Sequence, residues 1–269
     1  MKKQNLSSAF LLHLIPNSKL KINLMPFTFS HPAIILPLRY LPKSWFSITA
    51  LVIGSLTPDF EYFLRMKVKS DYSHTLNGVF WFDLPLSLLL TFLFHNLTRN
   101  LLFKNLPSFI RNRVLAFTDF NWNNYFKRNW LIVLISLLIG IFSHIFWDAF
   151  THKHGYFVNQ IATLQNTISI FGTEIPMWKL TQHSSTFIGA IILLIIFFKL
   201  PTTFTSPASI NKLYWISVIL FTTAILFMRF IINPKALNIG NLVVTFIASF
   251  LLAITVIPLT IKFKSIPKN

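Results

Sequence analysis

The stretch Leu242–Ile261 runs for roughly the 20 residues a membrane helix needs without a single charged side chain. Leu213–Ile232 does the same with Arg229 as its only charge. Hydrocarbon offers no hydrogen-bond partners to a backbone, so a run of this kind must close its own bonds as a helix. Only 12% of the chain is charged and its mean hydropathy is +0.60, where a soluble domain carries about 25% charged residues. An ordinary soluble enzyme and a disordered chain are both excluded. With no cysteine, so are disulfide scaffolds, thiolate zinc sites and cysteine nucleophiles. The expected fold class is all-α: a polytopic integral membrane helical bundle with about five to six membrane segments and His/Asp-rich connecting loops.

Three further stretches read as membrane helices. Val79–Phe94 is apolar apart from Asp83 and Pro85, Trp130–Phe150 is apolar until His144 and Asp148, and Phe187–Phe198 is short. Trp45–Leu56 is too short for a secure span and reads as a re-entrant or tucked helix. Pro32, Pro37 and Pro42 break up the apolar run around Ile34–Leu41, which is expected along the surface. Residues 1–24 read as a dispensable extension, 25–200 as a membrane domain holding a metal site, and 201–269 as C-terminal membrane helices.

The net charge is +17, yet the basic residues lie in short loops rather than on one stripe. That pattern suits anionic membrane lipid and argues against nucleic acid. The linker from His95 to Asn129 mixes Arg99, Lys104, Arg111, Arg113, Lys127 and Arg128 with aromatic residues. It fits interfacial helices on lipid or a solvated loop equally well. If Trp45–Leu56 crosses with the other five segments, one side collects 17 Lys and Arg against 7, or 13 against 7 without residues 1–24. The positive-inside rule then sets the His-rich loops of a multi-pass membrane protein outside the cytoplasm.

The scarce polar groups are gathered in a few places. Six of the eight histidines (His31, His74, His144, His152, His154 and His183) and four of the seven acids (Asp59, Glu61, Asp71 and Asp148) fall in four short punctuations of the apolar chain, with Asp83 five residues past one of them. The strongest is His144-x-x-x-Asp148-x-x-x-His152. On a helix, positions i, i+4 and i+8 share one face, and two imidazoles with a carboxylate suit a divalent ion such as zinc. The same three residues could instead form hydrogen bonds at a helix interface. Asp59 reads alone as a helix cap as readily as a ligand, Asp83 as a cap or a bundle hydrogen-bonder, and His183 as a ligand or an interfacial residue. Glu61 and Asp71 read as surface groups near Arg65, Lys67 and Lys69, and His154 as a solvated loop residue. No Gly-rich phosphate loop, GxSxG or HExxH is present.

Four blocks, MPFTFSHPAIILPL, ALVIGSLTPDFEYFL, SHTLNGVFWFDLPLSLLL and FSHIFWDAFTH, resemble the bacterial membrane family catalogued as domain of unknown function 4184. The chain is more distantly similar to membrane-bound metal-dependent hydrolases of the YdjM type and to the helical zinc-dependent phospholipase C and nuclease fold. That resemblance implies that Asp59, His74, His144 and Asp148 form one zinc site. It further implies that His31 belongs to another site and that His152 and His183 are later ligands. Two departures stand out: Phe187 replaces the acid expected four residues after the last histidine, and residues precede His31 where the fold uses its terminal amine. The expectation is a metal-dependent hydrolase of a lipid-like phosphoester, with Asp59 as ligand or as the base orienting water. The alternative is a non-catalytic membrane protein or transporter that uses the cluster, with Asp83, as an ion or proton path.

Overall fold

The computed structural model describes residues 28–42, 44–203 and 210–264, so the extension at 1–24 lies outside the described residues. The principal elements are α1 (Ile48–Leu56), α2 (Leu76–Lys104), α3 (Trp122–Thr151), a hairpin of β1 (Thr167–Ile170) and β2 (Thr173–Pro176), and α4 (Met177–Phe198). Helices α5 (Lys212–Ile232) and α6 (Ile239–Lys264) complete the chain. Apart from α1, each of these helices contains a stretch long and apolar enough to cross a membrane, five spans in all. The bundle is an all-α integral membrane fold. The linker after His95 is mostly helical: α2 runs on to Lys104, Ser108–Val114 forms another helix, and α3 starts at Trp122.

Helix α2 is widened in two places, at Val79–Asp83 and Phe94–Thr98, into π turns. Pro85, just beyond the first, has no N–H to give to the preceding turn, and a widened turn absorbs that loss. Helix α3 bends at Asn129, which leaves helical geometry and donates its side-chain amide to Tyr125 O.

The tightest packing is between α1 and α3. A Cβ on Gly54 would run into the backbone of Leu137, and one on Gly140 into the backbone of Leu51, Gly54 and Ser55. Small residues let membrane helices approach to backbone contact, where dispersion and polar contacts hold them. Ser136 fastens the far end by accepting the N–H of Ser47 at 2.9 Å. The two helices run the same way, so Ser47 lies beside Ser136 and Ser55 beside His144.

This geometry answers the question about residues 45–56. His31 stacks on His144 with ring centroids 3.8 Å apart, and Asp59 faces the same imidazole. The chain between them therefore leaves the site end and returns to it. On the way, Ile35, Leu36 and Leu51 are buried among Phe46, Ile139, Leu193 and Ile196. The first half of the segment, through Leu36, is thus packed into the apolar slot between α1, α3 and α4, whereas Pro37, Tyr40 and Leu41 lie exposed as expected. Helix α1 is a re-entrant piece of nine residues, about 14 Å long, and it does not cross. The basic residues just before it then count with the site side, and over residues 25–269 the asymmetry narrows to 11 against 9.

Elsewhere α5 and α6 pair through Tyr214, Val218, Ala253, Ile254 and Ile257. Helix α6 also packs Val244 and Ala248 on Phe63. Gly140→Ala should cost about 1–3 kcal/mol through overpacking, seen as a lower unfolding midpoint in detergent. An unchanged midpoint would mean that α1 and α3 do not meet this closely.

Candidate metal centre

Four side chains converge where the close crossing ends. His144 and Asp148 stand one turn apart on α3, Asp59 ends the short turn after α1, and His74 comes from the loop before α2. His144 Nδ1 lies 2.7 Å from Ser55 O. A carbonyl oxygen only accepts, so Nδ1 carries the proton and the Nε2 lone pair is aimed into the cluster. Asp59 Oδ2 accepts from Thr28 Oγ1 at 2.6 Å, which turns Oδ1 inward. His74 Nδ1 is 3.0 Å from Ser73 Oγ and 3.4 Å from Ser70 Oγ.

The inward atoms are evenly spaced. His74 Nε2 and His144 Nε2 are 3.3 Å apart, and each is 3.3 Å from Asp148 Oδ2. Asp59 Oδ1 is 3.6 Å from His74 Nε2 and 3.5 Å from His144 Nε2. All four ligand atoms lie within 4.8 Å of one another. Zinc bonds of about 2.0–2.1 Å in a tetrahedron put neighbouring ligand atoms about 3.3–3.4 Å apart. The five edges that include a histidine nitrogen, at 3.3–3.6 Å, come close to that figure. Asp59, His144 and Asp148 are buried and His74 is half-buried, and two carboxylates gathered away from water need a cation between them. The donor set fits a divalent ion.

Asp148 turns its other oxygen the opposite way. Its Oδ1 is 3.7 Å from His31 Nε2 and 3.4 Å from His152 Nδ1, with no hydrogen-bond donor on it, and His31 Nδ1 is likewise buried and unpartnered. The helical stripe expected through His152 stops one residue short. Helix α3 ends at Thr151, and His152 is its extended cap, whose N–H still donates to Asp148 O. From α4 it is Gln182 that reaches this corner, its Nε2 3.4 Å from His152 Nε2. The half-buried His183 makes no ion pair or hydrogen bond with the cluster among the described residues.

Two expectations are corrected. Glu61 is not a surface group: its side chain is 2% exposed and forms the knot that holds the His74 loop. Its carboxylate accepts the backbone N–H groups of Asp71, Tyr72 and Ser73 at 2.7–2.9 Å, the Ser70 hydroxyl at 3.0 Å, and Arg65 Nε at 2.7 Å. The loop needs such an anchor because His74 itself sits at φ +64°, a strained conformation for a residue with a Cβ. Sequence reading missed it, although an acid four residues before Arg65 and ten before the Asp-Tyr-Ser run was a usable signal. Asp83 is neither a cap nor a hydrogen-bonder. Both its oxygens are buried without a partner in the first π turn. Asp71 is a surface group as expected, paired with Arg65 and Lys69.

This is a helical membrane protein with a His/Asp cluster at one end of the bundle, suited to a metal ion. The family model for a domain of unknown function, number 4184, matches residues 25–259, and the chain belongs to that family. No curated protein matches. No solved structure matches either, so the likeness to the phospholipase C fold rests on the order of residues alone.

Burial pushes the Glu61 carboxyl up, but the N–H groups of Asp71, Ser73 and Tyr72 and the Arg65 guanidinium outweigh it and hold it at about 2. Its contribution is therefore complete above pH 4.5 and is lost as the pH falls towards 2. Glu61→Gln should destabilise the protein by about 1–3 kcal/mol, weaken metal retention, and flatten the loss of stability across that acid window. Thermal unfolding between pH 5 and 2, with metal analysis at neutral pH, checks all three.

Proposed function

We propose that the protein is a membrane-bound metal-dependent hydrolase of a phosphoester that enters from the lipid headgroup layer. The observation that carries the reading is the convergence of His74 Nε2, His144 Nε2, Asp59 Oδ1 and Asp148 Oδ2, all within 4.8 Å of one another and with both nitrogens 3.3–3.6 Å from each oxygen. Zinc is the ion whose bond lengths suit those edges best. A divalent ion held there supplies Lewis acidity towards a phosphoryl oxygen and acidifies water near neutral pH. The chain's own part is to hold the ligands rigidly. Ser55 O and Thr28 orient His144 and Asp59, and the Glu61 knot orients His74. With one oxygen turned to the cluster and the other held by Thr28, Asp59 serves as a ligand rather than as a free base. We read Asp148 Oδ1, with His31 Nε2 at 3.7 Å and His152 Nδ1 at 3.4 Å, as the donors of a second ion. His183 is outside both sets.

Depth supports the substrate class. Twenty helical residues span the roughly 30 Å of hydrocarbon. Counted from Trp130 after the basic pair Lys127 and Arg128, they end at Phe150, and counted back from Lys199 they reach Lys179. His152 then stands at the hydrocarbon boundary, with His144 about 9 Å beneath it. A transport path would string its ionisable groups across the midplane, whereas off the cluster the buried ones in α2 are Asp83, near its start, and the paired His95 and Arg99, near its other end.

Protein purified without chelator should carry about one to two equivalents of zinc or a similar ion, given two donor sets. His144→Ala should lose it, and Asp148→Asn should abolish hydrolysis of a lipid phosphoester panel while keeping the helical circular dichroism. Wild type that binds no zinc, manganese or magnesium would end the proposal, and a metal-loaded, folded wild type inert on every phosphoester would end its hydrolase part. The remaining basic asymmetry, 11 against 9 over residues 25–269, favours a site outside the cytoplasm. Cysteine introduced at Thr167 should then react with an impermeant maleimide in outer-membrane-permeabilised cells, and cysteine at Ser108 should not. The reverse labelling would put the cluster on the cytoplasmic side.

A further inference from the structure

Between the end of α3 and the start of α4 the chain forms one small sheet. Its two strands pair Thr167 with Pro176, Ile168 with Ile175, Ser169 with Glu174 and Ile170 with Thr173. Residues directly opposite, and those two apart, share a face. One face therefore carries Ile168, Ile170, Ile175 and Thr173, and the other Thr167, Ser169, Glu174 and Pro176. The hairpin is amphipathic, apolar on one side and polar with a charge on the other.

The turn is unusual. Its two residues are Phe171 and Gly172, with φ of +49° and +75°. A two-residue hairpin turn of this hand calls for Asn-Gly or Asp-Gly, and an aromatic residue in left-handed geometry is an outlier. Among the described residues the Phe171 side chain touches nothing that would offset the strain: it is fully exposed, and Ile168 is 42% exposed. A two-stranded hairpin alone in water is marginal at best. Such a hairpin, with an isoleucine face and a phenylalanine tip, needs a cover that the described residues do not supply.

The position along the chain identifies that cover. Met177 N–H donates to Asn166 O at 2.8 Å and closes the base of the hairpin directly on the first residue of α4. Counted from Lys199, the hydrocarbon boundary falls at Lys179, so the base stands at headgroup level. The apolar hairpin face is continuous in sequence with a helix whose Phe187, Ile188, Ile191 and Ile192 are exposed to lipid. We propose that the β1–β2 hairpin is an interfacial anchor that lies on the bilayer with Phe171 and the Ile168/Ile170/Ile175 face in lipid and Glu174 towards water. Strain at Phe171 is then a feature of the anchor, since it aims an aromatic ring past the end of the sheet. The inference is independent of the metal reading, because none of these residues contributes to either donor set.

The cysteine-free chain permits a direct test. Single cysteines replacing Phe171, Ile168 and Glu174 are spin-labelled in the full protein reconstituted into vesicles of phosphatidylethanolamine and phosphatidylglycerol. Collisions with dissolved oxygen and with a water-soluble nickel chelate report depth. The labels at Phe171 and Ile168 should meet oxygen several-fold more than nickel, at a depth of roughly 5–10 Å below the headgroups. The label at Glu174 should favour nickel. Nickel access at Phe171 equal to that at Glu174 would stand the hairpin in water and overturn the proposal. Shielding of Phe171 from both reagents would mean that protein covers the tip, and would overturn it equally. Ile168→Cys keeps the test decisive should the turn not tolerate a label.

Discussion

The contact between α1 and α3 at Gly54 and Gly140 is the constraint on which the rest of the site depends. Only backbones that meet without intervening side chains bring Ser55 O within hydrogen-bonding distance of His144 Nδ1. That bond sets the imidazole's tautomer and its direction. It also carries Asp59, four residues past Ser55, into line with the Nε2 lone pair. A methyl group at either glycine would open the crossing and separate the two halves of the ligand set. The membrane makes this arrangement stable: with no hydrophobic force between apolar helices in lipid, close approach and polar contacts hold the pair together.

Around that crossing the cluster is assembled from groups whose own partners lie outside it. Thr28 turns Asp59, Ser55 turns His144, and the serines of the 70–73 loop turn His74, while Glu61 fastens that loop by three backbone N–H bonds. The supporting shell is almost entirely backbone and hydroxyl, which orients ligands without competing for a cation. Asp148 has one oxygen in the cluster and one facing His31 and His152. A single carboxylate thus links the α3 ligands to the re-entrant segment.

The boundary between what could be read and what could not follows the range of the interactions. The His144–Asp148 pair was legible because i and i+4 share a helix face whatever surrounds them. That His152 falls outside the helix was not, because a helix end is decided by how the chain leaves it. Glu61 was misread because a carboxylate among lysines and arginines looks solvated until the loop that buries it is folded. Asp83 was open for the same reason: whether a buried acid finds a donor depends on neighbours from other helices.

By itself the sequence determined the all-α membrane class, since long uncharged runs can satisfy their backbones in hydrocarbon only as helices. It also determined which residues were candidates for a metal, because costly polar groups in an apolar chain are few and clustered. Tertiary structure alone decided that the segment at 48–56 returns rather than crosses, that His31 reaches the site beside Asp59, and that Gln182 rather than His183 faces His152. Each of these depends on contacts between residues far apart in the chain. Such contacts are set by how closely two helices can pack, and local pattern carries no record of that distance.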